Sequence, residues 1–417
     1  QYPSYKNSGV EWLGDVPEHW SVIPSKFYFI ERKEKAENTD KQLTASQKHG
    51  IIFQEDFMAE NGRVMVVMKN PEILKKVRPN DFVISMRSFQ GGLELSYLEG
   101  SISSAYVMLK PNLNVVDIEY FKYLFKTPRY IQSLQSTSNL IRDGQALRFN
   151  NFSQIKLVLP PKADQEKIVS FLDTETSRID NLIAKQEKLI ELLEEQRKSI
   201  ISHAVTKGLN PNAPMKDSGV EWLGEVPESW VEQKIKFISK LINEKTSEKS
   251  NVIALENIES WTGKYIETES SFESDAVKFK KNDVLFGKLR PYLAKVYLVE
   301  NQGEAVGDIY VLRPNKLIHP QFLKFFMLSE KFIDYVNSST NGTKMPRANW
   351  DFIGCISIFL PHIKVQHEIV EYLESAVLKI ELIINKQISL IEKLKEYRSS
   401  IISHAVTGKI DVREFGA

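Results

Sequence analysis

The chain has 417 residues, of which 42% are hydrophobic and 26% charged, and its formal net charge is +1 at pH 7. These values are ordinary for a soluble globular protein long enough for two or more domains, and the net charge alone neither supports nor excludes nucleic-acid binding. The single cysteine, Cys355, excludes an internal disulfide and favours a reducing cytoplasm. We find no secretory signal and no apolar run of about 18 residues, so no membrane span is expected.

The first predicted element lies in residues 1–20, where Gly, Pro and aromatic residues are dense. Residues 5–20 return as a close copy at 215–230, at an offset of 210. Four of the six tryptophans lie in these two copies: Trp12, Trp20, Trp222 and Trp230. Such a composition predicts a compact irregular segment held by buried indoles, which is more typical of a packing motif than of a ligand site.

Residues 21–160 follow as a predicted mixed α/β domain. Short apolar runs such as Val64–Met68 and Phe82–Met86 alternate with turn signals, and a helix is expected around Ile118–Leu134. Residues 231–360 form a second domain of the same outline. The two domains share only short matching strings, such as 80–84 with 282–286 and 107–111 with 310–314.

Each domain is followed by a long predicted helix. The stretches 164–206 and 365–407 match at an offset of 201, agree at about half of their positions and end in the same eight residues, Ser-Ile-Ile-Ser-His-Ala-Val-Thr. Neither contains Gly or Pro, and about 43 helical residues would span roughly 64 Å. We place the first helix and its linker at 161–214, with Asp164 as the N-cap, and the second helix at 361–417.

Both helices carry apolar residues at the 3-4 spacing of a coiled coil. The predicted contact lines are Ile168, Leu172, Ile179, Leu182, Leu189, Leu193 and Ile200 in the first helix, and Ile369, Leu373, Ile380, Ile383, Leu390, Leu394 and Ile401 in the second. A matched polar residue, Gln186 or Gln387, lies near the middle of each line. A buried polar residue can fix the register of a coiled coil at some cost in stability, and we expect this role for both glutamines.

The chain therefore runs segment, domain, helix, and then repeats that order. Joining residue 417 to residue 1 would recreate the central connector at 207–214. We infer two globular α/β domains joined by two long antiparallel coiled-coil helices, with a cyclic pseudo-twofold and the two termini close in space.

Enzyme signatures are absent from the sequence. There is no Gly-x-x-x-x-Gly-Lys-Ser/Thr, no Gly-x-Gly-x-x-Gly after a strand, and no Asp/Asn-Pro-Pro-aromatic string of the amino-methyltransferases. The seven histidines show no metal-ligand spacing. His203 and His404 are interpreted as partners of the helix C-termini, and Cys355 as a small core residue. No catalytic residue, metal ligand or cofactor is predicted.

Polar and basic residues on turns are the candidate DNA contacts. Cations are needed for phosphates, and Arg, Lys, Asn, Gln or Ser for base edges. In the first domain they are Arg87, Ser88, Gln90, Arg142, Gln145, Arg148, Asn150 and Asn151. In the second they are Lys288, Arg290, Tyr292, Lys295, Lys344, Arg347, Asn349 and Trp350. The clusters fall at corresponding positions of the two domains, which makes binding as well supported as scattered surface polarity.

Over its full length the chain resembles the specificity subunit of type I restriction-modification systems. The resemblance depends on the alternation of variable domains with repeated helices, on Leu-Pro-Pro-x-x-Asp-Gln at 159–165, on Leu-Pro-x-x-x-Val-Gln at 360–366, and on Asn-Asp-Val-Leu-Phe-Gly-Lys-Leu-Arg-Pro at 282–291. The family usually has Glu at the position that Asp164 and Val365 occupy.

The resemblance implies a non-catalytic reader of double-stranded DNA. Each variable domain would be a target recognition domain for one half of a split, asymmetric site. The helices would set the spacer and dock two methyltransferase subunits, and restriction-translocase subunits would join that core. Methylation, ATP use and cleavage would then belong to the partners, and no membrane is involved.

Two other classes remain open at this point. One is a stand-alone restriction or methyltransferase enzyme, against which the missing catalytic strings argue. The other is a coiled-coil scaffold that binds only proteins.

Overall fold

The structure, a computed structural model, describes residues 1–61, 73–86, 88–137, 147–248, 250–268, 275–340 and 344–415. The chain divides into two compact units. Unit 1 consists of Gln1–Lys185 together with Leu390–Ala417, and unit 2 of Gln186–Ser389. Among the described residues, no helix has the length and apolar content that a membrane crossing requires.

In its described residues, the part of unit 1 before residue 186 forms twelve strands and the start of a long helix. The strands are β1 (Tyr5–Asn7), β2 (Asp15–Pro17), β3 (Ser21–Pro24), β4 (Phe29–Arg32), β5 (Leu43–Ser46), β6 (Gly50–Phe53), β7 (Lys75–Val77), β8 (Phe82–Ile84), β9 (Glu94–Leu95), β10 (Gly100–Ile102), β11 (Val107–Pro111) and β12 (Lys156–Leu159). The helices are α1 (Gln54–Asn61), α2 (Ser88–Gly91), α3 (Ile118–Leu124), α4 (Pro128–Ser136), α5 (Phe149–Ser153) and α6 (Lys162–Lys207).

Unit 2 and the end of the chain repeat this plan. The strands are β13 (Met215–Asp217), β14 (Glu225–Pro227), β15 (Val231–Lys234), β16 (Ser239–Ile242), β17 (Lys245–Thr246), β18 (Val252–Ile253), β19 (Ala276–Phe279), β20 (Val284–Gly287), β21 (Val296–Leu298), β22 (Gly303–Val306), β23 (Ile309–Pro314) and β24 (Ser357–Leu360). The helices are α7 (Ile235–Ile238), α8 (Pro320–Leu328), α9 (Glu330–Ser338), α10 (Trp350–Cys355) and α11 (Ile363–Val406).

The sheets of the two units correspond. Each unit has a four-stranded antiparallel sheet, in the order β4-β11-β8-β9 in unit 1 and β16-β23-β20-β21 in unit 2. Each has a hairpin (β1-β2, β13-β14) and a pair that joins the first strand of the domain to its last (β3-β12, β15-β24). The second sheet of unit 2, β17-β19-β22-β18, includes the parallel pair β18-β22. The predicted mixed α/β architecture with two long helices is confirmed.

Aromatic rings form the centre of the unit 1 core. Phe29 lies 5.2 Å from Phe121 and 5.5 Å from Phe125, and Phe82 lies 5.0 Å from Phe125, between ring centroids. The single helix predicted over Ile118–Leu134 is wrong, because the chain forms α3 and α4 there. Proline lacks the N–H that a helix interior needs, so Pro128 starts a new helix instead of continuing the old one.

The tryptophan segments are pinned as predicted, but unequally within each copy. Trp20 and Trp230 are buried, with 0% and 4% of their surface exposed. Trp12 and Trp222 are half-buried. Trp12 meets Tyr130 edge-on, whereas Trp222 stacks on the ring of Tyr335 at 5.1 Å. Each segment therefore fastens the hairpin to the helices of its own unit.

The two long helices begin slightly earlier than predicted. The structure places Asp164 inside the first turn of α6 and not at its N-cap. Its carboxylate accepts hydrogen bonds from Trp20 Nε1 at 3.1 Å and from His19 Nε2 at 2.8 Å. Asp164 therefore connects the helix to the tryptophan segment, and its negative charge suits a helix N-terminus.

One buried glutamine attaches each helix to its domain. Gln165 donates from Nε2 to Val115 O and Pro160 O, and its Oε1 accepts from Asp117 N, all at 2.8–2.9 Å. Gln366 repeats the pattern in unit 2, with Leu317 O, Pro361 O and His319 N at 2.8–3.0 Å. Both side chains are fully buried, so the contacts replace water for backbone groups that have no other partner nearby.

The buried face of the long helices differs from the predicted contact lines in their middle. Leu189, Ile383 and Leu390 are exposed. The buried isoleucines and leucines are Ile168, Leu172, Ile179, Ile183, Leu193 and Ile201 in α6, and Ile369, Leu373, Ile380, Ile391, Ile401 and Ile402 in α11. Several of them are 11 residues apart. A nearly straight helix keeps an 11-residue repeat on one face, whereas a 7-residue repeat drifts unless the helices supercoil.

Within unit 1 the two helices are antiparallel. Asp180 of α6 pairs with Arg398 of α11 at 2.8 Å, and Phe171 contacts Phe415 at 4.8 Å, so one residue number falls as the other rises. The same unit brings the ends of the chain together. Tyr5 donates its hydroxyl to Gly408 O at 3.1 Å, and Arg413 lies 4.7 Å above the ring of Tyr2. The predicted proximity of the termini is confirmed.

Candidate nucleic-acid interface

In unit 2, two loops that carry predicted DNA contacts are joined by backbone hydrogen bonds. The first loop leaves β20 at Lys288, and the second precedes α10. Leu289 forms a β-bridge with Arg347. Arg290 N donates to Pro346 O and Ala348 N to Lys288 O, both at 2.8 Å. Residues about 60 apart in sequence therefore form one surface.

Arg290 has an unusual backbone conformation at the centre of this surface. Its φ angle is 52°, in the left-handed region that residues other than glycine seldom adopt. Ala294, four residues later, also has a positive φ of 47°, so a short 3-10 turn at Pro291–Leu293 is held between two such residues. The side chain of Arg290 is exposed. Strained backbone of this kind clusters at functional sites, where the surrounding structure fixes it.

Asp308 fixes two of the predicted cations. Arg347 Nη2 donates to Asp308 Oδ2 at 2.9 Å, and Lys288 Nζ lies 3.7 Å from Asp308 Oδ1. Lys288 also lies 5.3 Å from the centroid of the Tyr310 ring. One carboxylate therefore holds two cations next to Arg290, which leaves a net positive surface with restricted side chains.

The other predicted residues of unit 2 divide into exposed and structural ones. Tyr292 and Lys344 are exposed beside Arg290 and Arg347. Asn349 is exposed too, and its Oδ1 accepts from Asp351 N at 2.9 Å as the N-cap of α10. Lys295 points elsewhere, since its Nζ donates to Leu255 O at 2.6 Å. Burial lowers the pKa of Lys295, as expected for an amine that serves an internal contact.

Unit 1 brings its corresponding segments to one open cleft of about 560 Å³. Met86, Arg148 and Asn150 all line this cleft. Both Arg148 and Asn150 are exposed at the start of α5. Asn151 supports them by accepting from Arg148 N at 2.9 Å and donating to Thr137 O at 2.8 Å. The strand end after β8 and the turn before α5 therefore meet, as β20 and α10 do in unit 2.

The remaining predictions in unit 1 differ in their outcome. Ser88 is fully buried, and its Oγ accepts from Ser85 N at 2.9 Å, so it shapes the turn into α2 and lies away from the surface. Gln90 is exposed. Arg87, Arg142 and Gln145 lie outside the described residues.

An ion pair between a buried aspartate and a half-buried arginine holds the strand that leads into each loop. Asp81, at the start of β8, accepts from Arg32 Nε at 2.6 Å and from Nη2 at 2.9 Å. Asp283, at the start of β20, accepts from Arg313 at 2.8 and 2.7 Å. In both cases the hydrogen bond to the aspartate raises the pKa of the arginine. These bidentate pairs fix the strands from which the candidate contacts project.

Some features of the site were not predicted from the sequence. Asp308 organises the cations of unit 2, and its position directly after Gly307, between two short apolar runs, is the signal that could have indicated it. Met345, 61% exposed beside Arg347, was also missed. Cys355 was expected in the core, yet it is exposed, with its sulfur 3.6 Å from Lys236 Nζ, because it ends α10 on the solvent side. In the part of the chain that is described, no cluster of three His, Cys, Asp or Glu could hold a metal.

Comparison with known proteins gives matches over most of the chain. The family model for the type I restriction modification DNA specificity domain matches residues 75–194 and 227–393. The MjaVIII specificity subunit of Methanocaldococcus jannaschii is 27% identical over 424 residues, which covers 95% of this chain and 94% of that protein. The EcoDI specificity subunit of Escherichia coli is 24% identical over 287 residues, 63% of this chain and 64% of that protein.

Two solved structures share the fold. A chain from a study of complex assembly and conformational transition of the type I R-M system aligns with a TM-score of 0.69, at 13% identity, over 95% of this chain and 99% of its own length. The HsdS subunit from Thermoanaerobacter tengcongensis aligns with a TM-score of 0.58, also at 13% identity, over 95% and 98%. The family model covers well over half of the sequence, and the chain therefore belongs to the type I restriction-modification DNA specificity family.

Proposed function

We propose that this chain is the non-catalytic DNA-recognition subunit of a type I restriction-modification complex, and that each unit reads one half of a bipartite, asymmetric site. The recognition domains would be residues 21–160 and 231–360. The observation that carries the proposal is the joined pair of loops in unit 2, where Arg290, Arg347 and Lys288 form one ordered cationic surface. A cationic surface with restricted side chains suits simultaneous contact with phosphates and base edges.

The decisive experiment measures binding to a duplex that carries the sequence methylated in the host genome. The full chain would be used together with its methyltransferase subunits. Replacing Arg290 with alanine should weaken binding by about 1–3 kcal/mol if the guanidinium contacts a guanine, and should relax specificity in one half-site only. Arg148→Ala should affect the other half-site.

Lys281→Ala is the matched control. Lys281 is an exposed cation at the opposite end of β20 from Lys288, so its loss removes one charge outside the joined loops. Equal effects of Arg290→Ala and Lys281→Ala would count against the proposed surface. Methylation or cleavage by the purified chain alone would instead indicate an enzyme, and absence of any duplex binding by the complex would indicate a protein scaffold.

The long helices would set the spacer between the half-sites. Each helix contributes its two halves to different units, since the division falls at Lys185 in α6 and at Leu390 in α11. Two reading surfaces on a stiff support can bind only half-sites at a matching separation. Inserting seven residues near Gln186 should change the preferred spacer and leave the half-site bases unchanged. Altered half-site bases would contradict this role.

The same helices would dock two methyltransferase subunits, to which restriction-translocase subunits would be added. Exposed apolar residues support a docking role: Leu189 and Leu192 in α6, and Tyr372, Leu378, Leu382, Ile388 and Tyr397 in α11. Such residues are costly to leave in water unless a partner covers them. Replacing Leu378 and Leu382 with serine should therefore reduce co-purification with the methyltransferase subunits. Placement of the complex in the reducing cytoplasm stays part of the same proposal.

Gln186 and Gln387 remain proposed as register-setting residues. Both are half-buried near the middle of the buried face of their helices. Changing both to leucine should raise the stability of the helix pair and broaden the range of spacers that the complex tolerates. Unchanged melting and unchanged spacer preference would show that the two side chains are merely solvated.

A further inference from the structure

Unit 1 contains a second open cleft, of about 730 Å³, between its domain and the end of α11. It is separate from the cleft that holds Arg148. Its lining is rich in basic residues: Lys48, His49, Lys122, Lys126, Lys395 and Arg398. Hydroxyl groups of Tyr97, Tyr123 and Thr127 also line it. These hydroxyls already donate to Glu119, Asp173 and Leu124 O, so the character of the lining is set by its basic side chains, which suit an anionic ligand.

The corresponding place in unit 2 is occupied by a turn of its own chain. By the internal repeat, Lys122 corresponds to Lys324 and Ser399 to Lys198. Lys198 Nζ lies 4.2 Å from the centroid of Trp261. A Cβ on Gly263 would lie only 2.5 Å from Lys324 Cε, so the backbone of that turn already touches the helix. In unit 2, the indole of Trp261 therefore occupies the position that corresponds to the open cleft of unit 1.

The ion pairs of the helices differ in the same way. In unit 1, Asp180 binds Arg398 through two hydrogen bonds of 2.8 and 3.1 Å. The repeat relates Asp180 to Glu381, which in unit 2 pairs at 2.8 Å with Lys264 of the inserted turn. The turn of unit 2 thus contacts both long helices. Trp261 makes a cation–π contact with Lys198 of α6, and Lys264 forms an ion pair with Glu381 of α11.

Two cations of the unit 1 cleft are available to a ligand. Within the described residues, neither Lys48 nor Lys395 has a carboxylate within ion-pair distance, and both are exposed. Among the described residues that line the cleft, Glu94 alone carries a carboxylate, and this side chain is buried and bound by Lys126. Burial raises the pKa of Glu94, so it opposes an incoming anion less than an exposed carboxylate would.

The cleft adjoins a segment already predicted to contact DNA. A Cβ on Gly91, at the end of α2, would lie 2.6 Å from Gln47 Nε2, and Gln47 lines the cleft. Gly92 has a φ of 77°, and a Cβ there would lie 2.0 Å from Phe125 O. The backbone after Gln90 is therefore pressed against the wall that carries Lys122 and Lys126.

We propose that this cleft binds backbone phosphates of duplex DNA beside the half-site read by unit 1, with Lys48 and Lys395 as the contacting cations. The inference depends on the proposed function and adds an asymmetry to it, because the filled place in unit 2 offers no such contact. Phosphate contacts of this kind contribute affinity independent of base sequence and make binding sensitive to salt.

The test compares salt dependence in three forms of the complete complex with its methyltransferase subunits. The forms are wild type, the double variant Lys48→Gln with Lys395→Gln, and the control double variant Lys185→Gln with Lys393→Gln. The control removes two exposed lysines of unit 1 that do not line the cleft. The probe is a duplex with the methylated genomic sequence, titrated between about 50 and 200 mM salt, where phosphate contacts dominate the change in affinity.

Loss of two phosphate contacts should reduce the slope of log K against log salt by about 1.8 and weaken binding about ten-fold or more at 0.1 M salt. The control should keep the wild-type slope, and half-site preference should not change in either variant. An unchanged slope in the cleft variant, or an equal change in both variants, would overturn the inference while leaving the proposed function intact.

Two further outcomes are distinct. If the cleft variant loses its methyltransferase subunits but the residual complex binds DNA with the wild-type slope, the cleft is a protein contact and the inference is wrong. If the wild-type complex does not bind the duplex, the proposed function itself fails. Melting of each variant checks that the fold is retained.

Discussion

The two helix ends make the same contact with residues in opposite order. In unit 2, Lys207 Nζ donates to Leu223 O and Glu225 O of the tryptophan segment. In unit 1, Lys409 Nζ donates to Leu13 O and Asp15 O. The chain reads Thr206-Lys207-Gly208 at one end and Thr407-Gly408-Lys409 at the other. Both units therefore keep a lysine ammonium group at the same place in the fold, although the lysine that supplies it is shifted by one position in the sequence.

The arginines behind the reading loops differ in a related way. Asp81 and Asp283 occupy equivalent positions, and each follows an asparagine with a φ near 70° (73° and 71°). Asp81 is bound by Arg32 from β4, whereas Asp283 is bound by Arg313 from β23. The acid is common to both units and its partner comes from a different strand. Both units thus keep the aspartate that holds the strand, while the arginine that binds it has changed its position in the fold.

The largest expected effect tests whether the shared glutamine contact is equally important in both units. Gln165→Leu and Gln366→Leu each leave one backbone N–H and two carbonyls without their buried partner. Each should lower the free energy of unfolding by about 2–4 kcal/mol, measured by urea denaturation. Gln196→Leu, at an exposed position of α6, is the control and should change little. A loss in only one unit would mean that the attachments are not equivalent.

A smaller effect is expected at the glycines that end the two helices. Gly408 has a φ of 73°, and a Cβ there would lie 2.4 Å from Pro17 Cδ. Gly208 has a φ of 76°, with Trp230 Cζ2 at 3.2 Å as its nearest contact. Gly408→Ala should therefore cost about 2–3 kcal/mol, and Gly208→Ala about 1–2 kcal/mol.

Gly9→Ala measures the cost of the left-handed backbone conformation without any steric contact, and so serves as the reference for the two helix-end glycines. Gly9 has a φ of 65° and nothing within 4 Å of the added carbon. Its substitution should cost about 1 kcal/mol from the left-handed conformation alone. If Gly408→Ala is no worse than Gly9→Ala in thermal melting, the close approach of Pro17 does not constrain the end of α11.

The smallest effect concerns acid stability and separates the two units. Two hydrogen bonds from Arg78, at 2.6 and 3.0 Å, lower the pKa of Glu34 from 4.5 to about 2. A depressed pKa stabilises the fold above the unfolded value, so the contribution is present above about pH 4.5 and disappears as the pH falls through 2. Glu34→Gln should cost about 0.5–1 kcal/mol at pH 7, because the pair is partly exposed, and nothing near pH 2.

The control is Glu244→Gln at the repeat-equivalent position of unit 2. The backbone carbonyls of both glutamates accept from a lysine N–H, Glu34 from Lys76 and Glu244 from Lys278, each at 3.0 Å. Among the described residues Glu244 has no ion pair within 4 Å, although its charge acts at longer range on Arg313 and Lys278. The change in stability caused by Glu244→Gln should therefore differ less between pH 7 and pH 2 than the change caused by Glu34→Gln. A pH-independent effect of Glu34→Gln would rule out the arginine pair as the cause.

The order of hairpins, domains and long helices was predictable from the sequence, because the internal repeats and the turn residues mark these elements directly. The matched stretches 164–206 and 365–407 identified both long helices. Because joining residue 417 to residue 1 would recreate the connector at 207–214, the sequence also indicated that the two termini lie close together. The heptad contact lines failed in the middle because sequence spacing near 3.5 cannot be told from 3.67 over a few turns. Pro128 carried a signal for a helix break that the broader apolar pattern concealed.

The candidate site was predictable only in part. Arg290, Arg347 and Arg148 lie on turns, where composition points to the surface. Ser88 and Lys295 lie on similar turns but point inward, because tertiary packing decides side-chain direction there. The filling of one cleft by Trp261 depends on where a turn meets a distant helix, and no local pattern encodes that.

The closure of unit 1 by Gly408 and Arg413 also has a consequence for the order of folding. Unit 2 is a continuous stretch, Gln186–Ser389, and every part of it has been synthesised before residue 390. Unit 1 needs contacts such as Tyr5 with Gly408, which are 403 residues apart. Closing so long a loop is slow unless the intervening chain is already compact. We therefore expect unit 2 to fold first. Its folding would then bring the C-terminal residues that close unit 1, such as Gly408 and Arg413, to the N-terminal segment.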